Sequence, residues 1–149
     1  MRNMLLLGVT LAIIAAIILY LLDHTSPERK AREAVERFYA FEKNGAFSES
    51  WAMFHPFMQK KFSKVNYLQD RVHVFMNHFE VTSFSYTTGE AVEIKNWRME
   101  ENLEPIDVAY KVPVSQVFKG KFGNFTIVQD VYVTMLEDEW KVLWDYGGR

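Results

Sequence analysis

Asp130 and Tyr132 stand two residues apart in an alternating stretch, so an extended backbone would turn both side chains toward one face. A carboxyl and a phenol on a partly apolar wall are ingredients for proton transfer, because burial raises a carboxyl pKa and a nearby hydroxyl can hydrogen-bond to it. Thr126, Val128 and Thr134 share that face, and nowhere else in the chain does the pattern offer an acid and a phenol one pocket. Asp107 reads differently. It shares a strand face with Lys111, opposite Val108, Tyr110 and Val112, which is the place of a solvated carboxylate.

Other chemistries lack their spacing. His73 and His78 lie five residues apart, about 140° around a helix, whereas chelation from one helix needs i, i+3 or i+4. With no cysteine and four scattered histidines, neither a zinc site nor a disulfide framework is expected. His55 precedes Pro56 at a helix break, where it caps or fills a corner. The sequence carries no glycine-rich phosphate loop and no Gly-x-Ser-x-Gly, so no cofactor and no catalytic residue is assigned.

The elements that must position these groups follow from period. Ser26 is an N-cap with Pro27 at the first helical position, and Ala31, Ala34, Val35, Phe38 and Phe41 form one apolar face up to the stop at Asn44-Gly45. Phe47–Lys61 should split into two short helices at His55-Pro56. A third helix is expected over 66–79, with Leu68, Val72, Phe75, Met76 and Phe79 buried and Gln69, Asp70, His73 and Asn77 wet. From Val81 the period falls to two. Strands are expected over 81–87, 90–97 and 106–118, and 125–145 reads as a hairpin with its acidic tip at Glu137-Asp138-Glu139 and turn residues over 119–124. Helices first and strands afterwards predict an α+β domain, about three helices on one face of a curved antiparallel sheet.

Met4–Leu22 is a run of 19 residues with only Gly8 and Thr10 outside the apolar set. As a helix it would be roughly 28 Å long, against a hydrocarbon core of about 30 Å. No small-x-small pair ends the run, which favours an uncleaved anchor over a removed signal peptide, and the missing cysteine excludes lipoprotein attachment. The expected organisation is a tail at 1–3, a transmembrane helix at 4–22, a connector at 23–26 and one domain at 27–149. Arg29, Lys30, Arg32 and Arg37 outvote Arg2 for a cytoplasmic domain under the positive-inside rule, but long domains cross regardless of charge and the short leader with one Arg is that of a signal anchor. The domain is therefore expected outside the cytoplasm. Beyond residue 22 there are 16 basic against 19 acidic residues and no basic stripe, so nucleic acid is not an expected partner.

The helix ending Phe38-Tyr39-Ala40-Phe41-Glu42-Lys43-Asn44-Gly45, two shorter helices, and a sheet closing on Asp138-Glu139-Trp140-Lys141-Val142 resemble the nuclear transport factor 2-like superfamily, a cystatin-like α+β cone. The ending Trp140-Lys141-Val142-Leu143-Trp144-Asp145, behind a membrane anchor, is most similar to the non-catalytic N-terminal domain of methicillin-resistance-type penicillin-binding transpeptidases. The resemblance covers about residues 27–146. The sequence ends at Arg149, where such transpeptidases continue into a catalytic domain, and it contains no Ser-x-x-Lys or Lys-Thr-Gly, so penicillin binding does not carry over. The resemblance implies a non-enzymatic accessory module at the cell envelope that binds another envelope protein or a second copy of itself. Ketosteroid isomerases and scytalone dehydratases of the same superfamily use the cone interior for proton transfer. Their example implies an alternative, a small-molecule binder or isomerase/dehydratase-like enzyme, with Tyr39, Asp130 and Tyr132 as pocket candidates beside His55, Asp107 and Asp145.

Overall fold

The structure, a computed structural model, describes residues 2–73 and 83–147. Among them lie five helices, α1 (Arg2–His24), α2 (Pro27–Lys43), α3 (Phe47–Ala52), α4 (Pro56–Lys61) and α5 (Lys64–Val72), followed by five strands, β1 (Phe84–Thr88), β2 (Val92–Trp97), β3 (Ile106–Gly120), β4 (Gly123–Leu136) and β5 (Glu139–Trp144). The strands make one antiparallel sheet. β3 and β4 form its long central hairpin, β5 flanks β4, and β1 and β2 share the other edge of β3, β1 along Val114–Phe118 and β2 along Ile106–Lys111. The fold is α+β, as the order of periods requires.

Local signals set the helix ends. The Ser26 hydroxyl accepts from the Arg29 N–H at 3.2 Å with Pro27 next in line, and at the other end Gly45 takes φ 72° while the Ala46 N–H reaches back to the Phe41 carbonyl at 2.9 Å. His55-Pro56 separates α3 from α4 as expected. The connector shrinks to Thr25 and Ser26, because α1 runs on to His24 and the Thr25 hydroxyl donates to the Leu21 carbonyl at 3.0 Å. The turn expected over 119–124 contracts to Lys121 and Phe122, since the hairpin register continues to Gly120 opposite Gly123. At the acidic tip Glu137 and Asp138 both adopt positive φ, 51° and 63°, the conformation a tight two-residue hairpin requires, and Glu139 already belongs to β5.

The third helix departs most from expectation. It starts earlier, at Lys64 behind a Ser63 cap, and Tyr67 is buried with Arg71 one turn on, whereas Val72 is 42% exposed. Residues Phe75, Met76, Asn77, His78 and Phe79 lie outside the described residues, as does Val81.

The core sits between α2 and the sheet. Ala31, Val35 and Phe38 join Val112, Val114, Val131, Val133 and Val142 in one cluster, and the rings of Phe38, Phe54 and Trp144 pack there tilted or edge to face, with Phe54 5.3 Å from Phe38 and 5.1 Å from Trp144. The opposite face is covered in part. Trp97 stacks on Tyr132 at 4.1 Å, the Met99 carbonyl accepts from the Tyr146 N–H, and Glu100 pairs with Lys61, so the segment after β2 crosses the sheet as a strap. Ala109, which alternation places on the same face as the polar Asp107 and Lys111, is nevertheless fully buried, in the same cluster as Trp97 and Met99.

Within the fully described stretches, where α1 counts only as Leu6–Leu22, no single helix is long and apolar enough to cross a membrane; Leu6–Leu22 taken with Pro27–Lys43, bent by 52°, has that length and composition. α2 does not have the character of half a span, because its apolar face is already spent on the sheet. Leu6–Leu22 is the reverse case: every residue in it is exposed, Leu7 and Leu22 at 63%.

Candidate functional site

The three pocket candidates do not converge. Tyr39, near the C-terminal end of α2, is buried on the helix-covered side and accepts from the Gln129 amide at 3.0 Å. Asp130 and Tyr132 point to the other face of β4, as alternation demands. There Lys111 stands 3.5 Å from the Asp130 carboxylate, and Trp97 covers the Tyr132 ring. Asp130 and Tyr132 do line one recess of about 240 Å³ with Gln129, Trp144 and Asp145, at the point where β5 leaves β4 beyond the Val131–Trp144 pair. The acid in that recess is already salt-bridged and the phenol already packed. Asp145 accepts from the Gly147 N–H at 2.7 Å, and Asp107 is exposed.

A polar centre that the sequence did not disclose lies between α2, α3 and α5. Glu42 closes α2 with its carboxylate 1% exposed, and four donors converge on it: the Ser50 hydroxyl, the Tyr67 phenol at 2.6 Å, and Arg71 through Nε at 2.6 Å and through Nη2. Burial opposes the Arg71 charge, but the adjoining Glu42 carboxylate more than offsets this, and the guanidinium pKa is raised. Burial likewise pushes the Tyr67 and Tyr39 phenols up, against the pull of the Arg71 charge, so both stay protonated at any physiological pH. The Trp144 indole Nε1 is buried with no acceptor among the described residues.

Chemically this centre is a clamp. A nucleophile or base needs a free lone pair directed at open space, whereas both Glu42 oxygens are occupied by donors from its own fold. Among the described residues no group of three or more His, Asp and Glu could hold a metal ion. The signal for the clamp was available in part: Tyr67 and Arg71 are i, i+4 on one helix face, and a carboxylate ends the preceding long helix.

His55 does cap a corner. Its Nδ1 accepts from the Phe57 N–H at 3.2 Å, its own N–H donates to the Val142 carbonyl at 3.0 Å, and the residue is buried. Burial and the Lys141 charge hold its pKa below the ordinary 6.5. In the unfolded chain the imidazole titrates near 6.5, so its stabilising contribution is complete above that pH. It is lost as pH falls toward the folded-state value, because the unfolded chain takes up a proton that the folded one refuses. In detergent, the urea midpoint of the full chain should drop from pH 7.5 to pH 5.5, and His55→Asn, which keeps an acceptor for the cap, should show a shallower drop. Equal slopes would remove His55 as the cause.

No family model and no curated protein matches this chain.

Proposed function

We propose that the protein is a single-pass membrane protein whose helix α1 holds one non-enzymatic domain of the nuclear transport factor 2-like kind at the outer side of the cell membrane, where that domain engages another envelope protein or a second copy of the chain. The observation that carries this reading is the contrast between α1 and everything after it. From α2 onward the chain builds one apolar core and leaves only scattered apolar residues such as Val65, Phe122 and Val128 exposed, while Leu6–Leu22 presents Leu, Ile and Val on every side to nothing in the described fold. Water does not accommodate an all-round apolar helix, and a bilayer does. The whole of α1, 23 residues, is about 34 Å long, which suits a hydrocarbon core of about 30 Å with its ends in the headgroups.

The absence of chemistry is an inference from occupancy. Asp130 is paired with Lys111, Tyr132 lies under Trp97, and Glu42 is saturated, so the polar groups that an isomerase-like interior would use already have partners within the domain. The function left to such a domain is binding. Confinement to a membrane raises the effective concentration of a weak binder, so modest contacts hold an assembly together.

The test is cellular. The full chain should stay with membranes through alkaline carbonate washing, and protease added to intact cells should degrade the domain. Recovery in the wash, or a mature form beginning after residue 22, overturns the anchor; protection of the domain in intact cells overturns only its placement outside.

A further inference from the structure

An open groove of about 590 Å³ lies where the first turn of α2 faces the start of β3 and the end of β4. It falls within the roughly 300–1,000 Å³ of clefts that take small ligands. Its floor is apolar, with Val108 38% and Met135 48% exposed beside Phe57 and Trp140. Thr25 and Pro27 form part of its wall, three and five residues beyond Leu22, the last exposed apolar residue of α1. The apolar surface of the helix therefore leads into the apolar floor of the groove with only one turn of chain between them. Two charges stand at the groove, Lys30 from α2 and Asp107 from β3, and neither makes an ion pair with any described residue. Both are exposed, while a neighbouring basic residue of α2, Arg32, has two carboxylates, Glu36 and Glu90, within reach.

A cation and an anion left open beside an apolar trough complement a headgroup that carries both signs. We propose that the groove seats a membrane phospholipid of the ethanolamine class, with an acyl chain over Val108, Met135 and Trp140, the phosphodiester at Lys30 and the ammonium at Asp107. Each part has its physical reason. A lysine ammonium binds phosphate as a point charge. Asp107 repels a headgroup with net negative charge and attracts an ammonium. Trp140, an amphipathic ring partly buried at the groove, has the character of the indoles that settle at membrane interfaces. The domain would then rest against the bilayer rather than swing from α1.

The inference rests on α1 being the anchor, and one experiment separates the two. The full chain is reconstituted into vesicles of phosphatidylethanolamine and phosphatidylglycerol in which one lipid or the other carries brominated acyl chains, flotation is checked, and tryptophan fluorescence is read. Brominated phosphatidylethanolamine should quench at least twice as strongly as brominated phosphatidylglycerol. Trp140→Phe should abolish that excess, and the double variant Lys30→Gln, Asp107→Asn, which alters only exposed side chains, should bring the two lipids level. A chain that does not float overturns anchor and groove together. One that floats but is quenched equally by both lipids, or keeps the excess in Trp140→Phe, overturns the groove alone.

Discussion

Arg71→Met should lower the unfolding free energy by about 3 kcal/mol, the lower part of the roughly 3–5 kcal/mol that breaking a buried ion pair costs. The lower part applies because the Arg71 side chain is 18% exposed, so water shares its charge, whereas the Glu42 side chain it leaves behind is 1% exposed. Without the guanidinium the carboxylate keeps two hydroxyl donors, Ser50 and Tyr67, and has no counter-charge at bonding distance among the described residues. For a domain of this size the loss corresponds to a fall in Tm on the order of 10 °C. Glu42→Gln alone should cost less, because a neutral carbonyl still accepts from Ser50 and Tyr67 and the stranded cation is the partner with access to water. The double variant Glu42→Gln, Arg71→Met should then lose less than the sum of the two, since no charge remains buried and the hydroxyls keep an acceptor. Thermal melts of the full chain in detergent, followed by tryptophan fluorescence so that α1 does not contribute, give the three values. Strict additivity would mean that the pair contributes nothing as a pair and that the clamp is only packing.

How much of this was legible in the sequence depends on whether a feature is local. Ser26 with Pro27, Asn44-Gly45 and His55-Pro56 act on their own backbone, so composition alone placed three helix boundaries correctly. Phe125, Ile127, Val131 and Val133 recur at odd positions of the sequence, the spacing of one strand face, and the register of β4 with β3 and β5 agrees. The clamp was legible only in the i, i+4 spacing of Tyr67 and Arg71, because it joins residues 29 positions apart and because apolarity was used to choose the inner face of α5. Leu68 packs against the core as expected, but Val72 is exposed, and Tyr67 and Arg71 take the inner face, since Glu42 supplies there a partner that no single helix reveals. The strap over the outer face failed to show for a similar reason. Trp97 and Met99 are buried by a crossing of the sheet, and neither strand period encodes that crossing. For the pocket candidates, alternation gave Asp130 and Tyr132 one face, and the two line one recess, but it did not show that Lys111 and Trp97 lie against them.

Ile14→Arg with Ile17→Arg should release the protein from the membrane, the largest effect expected of any change in the chain. Both positions lie in the middle of α1, are more than half exposed, and touch no part of the domain's core, so folding of residues 27–147 should be untouched. On the insertion scale an arginine at the centre of a spanning helix costs about 2.5–3.5 kcal/mol, and the isoleucine it replaces gives up about 0.3–0.6 kcal/mol. Two such changes oppose insertion by roughly 6–8 kcal/mol, a shift of several powers of ten in partition. The variant should move from the carbonate-resistant pellet to the soluble fraction, while its tryptophan fluorescence keeps the wild-type emission, since Trp51, Trp97 and Trp144 all report on packing within the domain. A control with the same two arginines at Leu6 and Leu22, near the helix ends where long side chains reach the headgroups, should remain membrane-bound. That contrast distinguishes a spanning helix from one that binds a soluble partner along its length, because a coiled partner would be disturbed as much by charges at the ends as by charges in the middle. If both variants leave the membrane to the same extent, α1 is buried by protein and the spanning assignment is withdrawn.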